Sequence, residues 1–181
     1  MKQLNIGCGW RNFGKDWIHI DGGDYDHLDY KNITKIEFND NSIDLIYASH
    51  VLEYFDRDEA VLLLKEWHRV LKNDGILRIA VPDFYAMTQL YLLNQYPLKT
   101  FLGPLFGKMK MGEDMIYHKT TYDWNSLCEI LTDIGFENFK KYNWQDYDIH
   151  VENDDHSQAY IPHMDKENGK LISLNIECNK L

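Results

Sequence analysis

Leu4-Asn5-Ile6-Gly7-Cys8-Gly9, followed by Trp17-Ile18-His19-Ile20-Asp21, decides how this chain is read. The first stretch is an apolar run that breaks into a glycine turn. The second is another short apolar run that ends in a carboxylate. Glycines at the end of a strand let backbone N–H groups approach a ligand closely, and a carboxylate at the tip of the next strand can accept both hydroxyls of a ribose. The pair predicts a nucleotide-cofactor site on an α/β sheet.

Working outward, Tyr25 to Ile33 is a weak strand candidate, whereas Ile43-Asp44-Leu45-Ile46-Tyr47-Ala48 is apolar on both faces, as a central parallel strand requires. Asp56-Arg57-Asp58-Glu59 has the form of a capping box. It opens a helix whose stripe is Ala60, Leu63, Leu64, Trp67, Val70 and Leu71, with Asn73-Asp74-Gly75 as its glycine stop. Ile76 to Val81 reads as a strand ended by Pro82, and Asp83 as the cap of a helix running to about Gln95. Glycines and prolines break residues 96–122, which reads as an inserted lid or substrate wall. Asp123 then caps a helix stopped by Gly135, Phe136 to Trp144 is a strand, 151–169 an acidic loop, and Leu171 to Cys178 a final strand. The alternation predicts one domain over 1–181, a doubly wound α/β sheet with helices on both faces.

With 44% hydrophobic and 14% aromatic residues the chain is globular, and no apolar run approaches the roughly 18 residues needed to span a bilayer. Met1-Lys2-Gln3 leads straight into a strand without signal-peptide anatomy. Cys8, Cys128 and Cys178 lack metal spacing, and an odd count suits a reduced, cytoplasmic interior. A net charge of −10 repels phosphate backbones, so nucleic acid is not expected as a partner, and without a spanning run no membrane is expected either. His156 and His163 in the acidic loop are the nearest approach to a metal site, and no metal is expected there.

The dinucleotide fingerprint needs a third glycine and an acid about 20 residues further on. Here the third position is Asn12 and 11 residues separate Gly9 from Asp21, which disfavours NAD. No Gly-Lys-Ser/Thr follows, which excludes a Walker A loop. A ligand with a ribose and no pyrophosphate remains, and S-adenosylmethionine fits.

Four blocks carry a resemblance. The Leu4 to Gly9 run, Asp21 closing the second strand, Asn41 to Phe55 and Leu71 to Asp83 together resemble the class I S-adenosylmethionine-dependent methyltransferases. The nearest likeness is to small bacterial predicted methyltransferases, type 11-like, often found beside glycan-biosynthesis functions. The match is close over residues 3–85 and loose beyond. It implies a mostly parallel, seven-stranded Rossmann-like sheet with an antiparallel last strand. It also implies that the Gly7-Cys8-Gly9 backbone faces the methionine part of the cofactor, that Asp21 takes the ribose, and that Ala48, Ser49 and His50 line the transfer site. At the adenine position the family often has Asp-Leu before Leu-Pro-Phe; this chain has Asn32-Ile33 and Ile36-Glu37-Phe38, leaving Asn32, ahead of Asp29, as the adenine contact.

Two departures stand out. Trp10 to Asp16 allows at most a turn or two where relatives have a full helix, so one patch of sheet needs cover from Trp10, Phe13 and Trp17 or from a second subunit in a homodimer. An N-terminal extension is also missing, and 96–122 can take its closing role. The implied activity is methyl transfer to an acceptor, a hydroxyl of a small molecule or glycan; the competing reading is a catalytically silent binding subunit. His50 is the first candidate base because imidazole titrates near neutral pH, and His118 the second. Each has a plainer reading, His50 as a strand-end residue and His118, with Tyr122 and Trp124, as a staple for the helix that follows. Asp83 reads as a helix cap before a base.

Overall fold

The computed structural model describes residues 1–153 and 159–181; His156 lies outside them. With strands and helices numbered in chain order, β1 (Gln3–Ile6), β2 (Trp17–Ile20), β3 (Ile43–Ser49) and β4 (Leu71–Pro82) are parallel. β10 (Ser173–Lys180) runs antiparallel between β4 and β7 (Phe136–Lys141), giving the sheet order β2-β1-β3-β4-β10-β7. Among the described residues the sheet has six strands where seven were expected. The missing edge is Tyr25 to Ile33, which is reduced to one parallel bridge between Ile20 and Tyr30. Its mixed polarity offers no continuous apolar face to pair and bury.

One face follows the expectation. α1 (Arg57–Val70) starts at Asp56, whose carboxylate accepts from the Asp58 and Glu59 N–H groups while Glu59 reaches back to the Asp56 N–H. α4 (Trp124–Ile134) starts in the same way at Asp123 and ends at Gly135 with φ +112°. Leu63, Leu64 and Trp67 of α1 and Leu127 and Leu131 of α4 are fully buried with Leu4, Ile6, Ile46 and Ile79 of the sheet. The glycine stop of α1 differs from expectation. The helix ends at Val70 and passes directly into β4, which bulges against β3 between Leu71 and Ile76. Asp74, at φ +61°, takes the left-handed position, and Gly75 is required because a Cβ there would sit 2.7 Å from the Lys72 carbonyl oxygen.

The other face carries no helix between β1 and β2, where the sequence leaves room for at most a turn or two. Phe13 and Trp17 cover it, as expected, but Trp10 is exposed. The rest of the cover comes from far along the chain: Tyr142, Trp144 and the short α5 (Asp148–Asn153), whose buried His150 ring lies 4.4 Å from that of Tyr47. Beneath them, Arg78 of β4 donates to Glu177 of β10 at 2.6 and 3.0 Å and faces the Tyr147 ring at 3.8 Å. The acidic stretch is not wholly loop: β8 (Tyr160–Ile161) pairs with β9 (Lys170–Leu171). In place of a helix, the 32–40 segment is pinned to α1 by Arg69, which donates to the carbonyls of Ile36 and Phe38, and by Glu66, which accepts the Ile36 N–H.

His19 ties the helix-free loop to the sheet. Its Nε2 accepts the Phe13 N–H at 2.8 Å, a bond that protonation at Nε2 would break. Burial first, and the neighbouring His27 second, hold its pKa below the ordinary value; burial and Lys180 do the same for His68. A lowered histidine pKa means that the unfolded chain binds more protons in mildly acidic solution. This contribution to stability is complete above pH ~6.5 and is lost as pH falls through and below that value. The urea midpoint should therefore drop between pH 7.5 and 5.5, and drop less in His19→Gln; an equal drop in both proteins would refute the role given to His19.

Candidate active site

The three glycine-turn residues take different parts. Gly7 has φ +70°, its N–H donates to the Ile20 carbonyl at 2.7 Å, and a Cβ would lie 2.1 Å from Val51 Cγ2. Gly9, at φ +56°, faces open space. Between them the Cys8 side chain turns into the protein, 3.7 Å from His27 Nε2, where burial and the Asp21 charge push its thiol up to about 12. Only the backbone of Cys8 is therefore available to a ligand.

Asp21 is buried and links two turns. One oxygen accepts the Gly9 N–H at 2.8 Å and the other the Gly23 N–H at 2.7 Å. A carboxylate accepts about four hydrogen bonds, so capacity for ribose hydroxyls remains while the turn geometry is already set.

These residues open into a cavity of about 800 Å3. Gly7, Gly9, Asp21, Gly22, Gly23, Tyr25 and Ile33 line one end; His50, Tyr54, Phe55, Met109, Met111, Met115 and Tyr117 line the rest. The methionines belong to a hairpin of β5 (Met109–Met111) and β6 (Asp114–Ile116) inside the 96–122 segment. The hairpin crosses to the end lined by Asp21 and the glycine turns, since a Cβ on Gly22 would stand 3.1 Å from Met111 Sδ. Ala48 and Ser49 are buried in the sheet and do not line the cavity. Asn32 does not line it either. Its oxygen accepts from the Thr34 and Lys35 N–H groups in an exposed turn, and its neighbour Ile33 is the residue that faces inward.

β3 ends in a sharp turn, with His50 at φ +54°, followed by a single 3-10 turn over Leu52–Tyr54. This turn brings Glu53 back under His50. His50 Nδ1 lies 2.9 Å from Glu53 Oε1, and its Nε2 lies 2.9 Å from Ser173 Oγ. Because a carboxylate only accepts, Nδ1 carries a proton, and in the neutral ring Nε2 accepts from the serine hydroxyl. His118 approaches the same Glu53 oxygen at 4.0 Å and donates Nδ1–H to the Pro104 carbonyl, without lining the cavity.

Glu53 is the residue the sequence reading did not single out, although the resemblance block contains it. It is 1% exposed. Burial first, and Glu53 second, push the Tyr54 hydroxyl up to about 12 and raise Tyr122 as well. The available signal was the His50…Glu53 spacing of three, which becomes a contact only in a tight turn. Asp83 is a helix cap, accepting the Ala86 N–H at the start of α2 (Phe84–Leu92).

The parallel sheet with its antiparallel β10, the glycine turn after β1 and the acid after β2 are the architecture of class I S-adenosylmethionine-dependent methyltransferases. Residues 4–79 match the sequence profile of a family described as methyltransferase domain, and the fold of the whole chain is that of the class I methyltransferases. A Methanosarcina mazei S-adenosylmethionine-dependent methyltransferase is 19% identical, with a TM-score of 0.59 over 99% of this chain and 92% of that one. One from Archaeoglobus fulgidus is 17% identical, with a TM-score of 0.59 over 99% and 86%. A Burkholderia thailandensis N1-methyltransferase with bound 1,6-didemethyltoxoflavin and S-adenosylhomocysteine is 13% identical, with a TM-score of 0.55 over 98% and 70%. No curated protein matches the sequence.

Proposed function

We propose that this protein transfers a methyl group from S-adenosylmethionine to a hydroxyl of a small-molecule acceptor. One observation carries the reading: a continuous cavity with the Gly7–Gly9 turn and Asp21 at one end and His50, backed by Glu53, in its wall. The residues fit this cofactor better than a dinucleotide. No helix follows the glycine turn, so no helix N-terminus is present to receive a pyrophosphate. Asp21 and Asp24 at that end suit a ligand bearing a sulfonium cation.

Asp21 and the Gly9 backbone would hold the ribose and methionine parts, and Tyr25 and Ile33 would face the adenine. When bound, the cofactor supplies an electrophilic methyl on a sulfur that leaves as a neutral thioether. The chain's own residues orient the acceptor, exclude water and receive one proton. His50 is the base. Its Nε2 exchanges the Ser173 hydroxyl for that of the acceptor, and the resulting imidazolium is stabilised by the buried Glu53 carboxylate. His118 lies behind Glu53, outside the cavity. The β5–β6 hairpin is the lid, and its methionine wall favours a flat apolar body over a glycan.

Three free cysteines and the absence, among the described residues, of any helix long and apolar enough to cross a membrane support a site of action in the cytoplasm. The aromatic cover over the helix-free face answers from within the chain the need that suggested a homodimer. Titration calorimetry should show binding of S-adenosylmethionine and S-adenosylhomocysteine and none of NAD. Absence of adenosyl binding overturns the reading, and binding without transfer to any acceptor of a broad panel establishes the silent-subunit alternative.

A further inference from the structure

We infer that residues 84–112 form a docking surface for an anionic lipid bilayer, on which the protein lies without spanning it. Among the described residues, nine of the eighteen exposed large hydrophobic side chains fall in this stretch. α2 shows the pattern. Met87 and Leu90 point into the protein, yet the solvent side carries Tyr85, Tyr91 and Leu92, with Leu93 following, and Tyr85, Leu92 and Leu93 are 64%, 65% and 63% exposed. An ordinary surface helix places polar residues on that side. The surface continues through Leu98 and the short α3 (Leu102–Phe106), where Leu102 and Phe106 are exposed.

Charge selects the occupant. Residues 84–112 contain Lys99, Lys108 and Lys110 and not one Asp or Glu, in a chain whose net charge is −10. Exposed aromatic and leucine side chains interspersed with lysines match an anionic bilayer surface, where rings and aliphatic groups enter the headgroup boundary and ammonium groups meet lipid phosphates. A second copy of the same surface would bring lysines against lysines. The negative remainder of the chain does not oppose docking, because the field decays over about 8 Å at physiological salt. The acids flanking the stretch in sequence are Glu113 and Asp114, at the hairpin turn next to Met111 on the Gly22 side of the cleft, and Asp83, which caps the opposite end; Asp21 and Asp24 line the cavity together with Met109 and Met111. Because Met109, Lys110 and Met111 belong both to this surface and to the cavity wall, an amphiphile could pass from the bilayer toward the site.

The test is flotation of the full chain with vesicles of phosphatidylcholine alone and of phosphatidylcholine with 30 mol% phosphatidylglycerol, at physiological salt. The expected result is at least ten-fold stronger partition onto the anionic vesicles. Leu92→Glu with Leu93→Glu, and separately Lys99→Glu with Lys108→Glu, should each abolish that preference while leaving S-adenosylhomocysteine affinity unchanged. No partition, or equal partition onto both vesicles, overturns the inference. So does a stable dimer by light scattering that Leu92→Glu with Leu93→Glu converts to monomer, since the surface would then belong to a second copy.

Discussion

Asp21→Ala should weaken S-adenosylhomocysteine binding by about 100-fold, the upper end of what one charge-assisted hydrogen bond supplies, roughly 1.5–3 kcal/mol. The upper end is expected because Asp21 has a second task. Its two oxygens hold the Gly9 and Gly23 N–H groups, so its loss removes a ribose acceptor and also releases both turns that shape the cofactor end. Asp21→Asn should be nearly as damaging. An amide has one acceptor oxygen, so one of the two backbone N–H groups would face an NH2 group instead. Calorimetry on variants that keep the parent melting temperature decides the matter: unchanged affinity would mean that the ribose lies elsewhere.

His50→Ala should lower turnover by about 10²- to 10⁴-fold, the usual worth of a general base, with cofactor affinity nearly intact. An equal loss in both would remove His50 from the proton-transfer step. Glu53 acts through His50, so its test must separate positioning from folding. Glu53→Gln keeps an oxygen for the Nδ1 proton but removes the charge that favours imidazolium. The maximal rate should fall with KM for the cofactor unchanged, and Glu53→Asp should recover part of it. A rate loss matched by an equal loss of cofactor affinity would leave Glu53 a merely structural group.

The turns of the proposed cofactor end were legible in the sequence because their geometry is local. Gly7, Gly9 and Asp21 sit at strand ends whose apolar runs can be read directly, and the caps Asp56, Asp83 and Asp123 announce themselves by spacing. The surroundings of the proposed base were half legible. His50 follows β3 visibly, but its partners depend on a left-handed turn and on Ser173, which lies 123 residues away. Asn32 lies outside the cavity for the opposite reason: a residue able to contact adenine is equally able to bond its own turn, and here its oxygen does so. The aromatic cover over the second face had a visible beginning in Phe13 and Trp17. Its completion by Tyr142, Trp144 and His150 has no periodicity to betray it, since aromatic side chains in irregular backbone follow no repeat.

The place of β10 in the sheet has a consequence for how the molecule is made. β4 is flanked on one side by β3, which precedes it, and on the other by β10, which begins only at Ser173. While the chain emerges from the ribosome, the apolar edge of β4 stays unpaired through the synthesis of everything between, and β7 has no neighbour at all until β10 arrives. A growing chain with that edge open is exposed to misassociation. Half of the proposed cofactor site is thus translated within the first 21 residues, yet the sheet that holds it closes only when the strand at 173–180 slides between two that have been waiting for it.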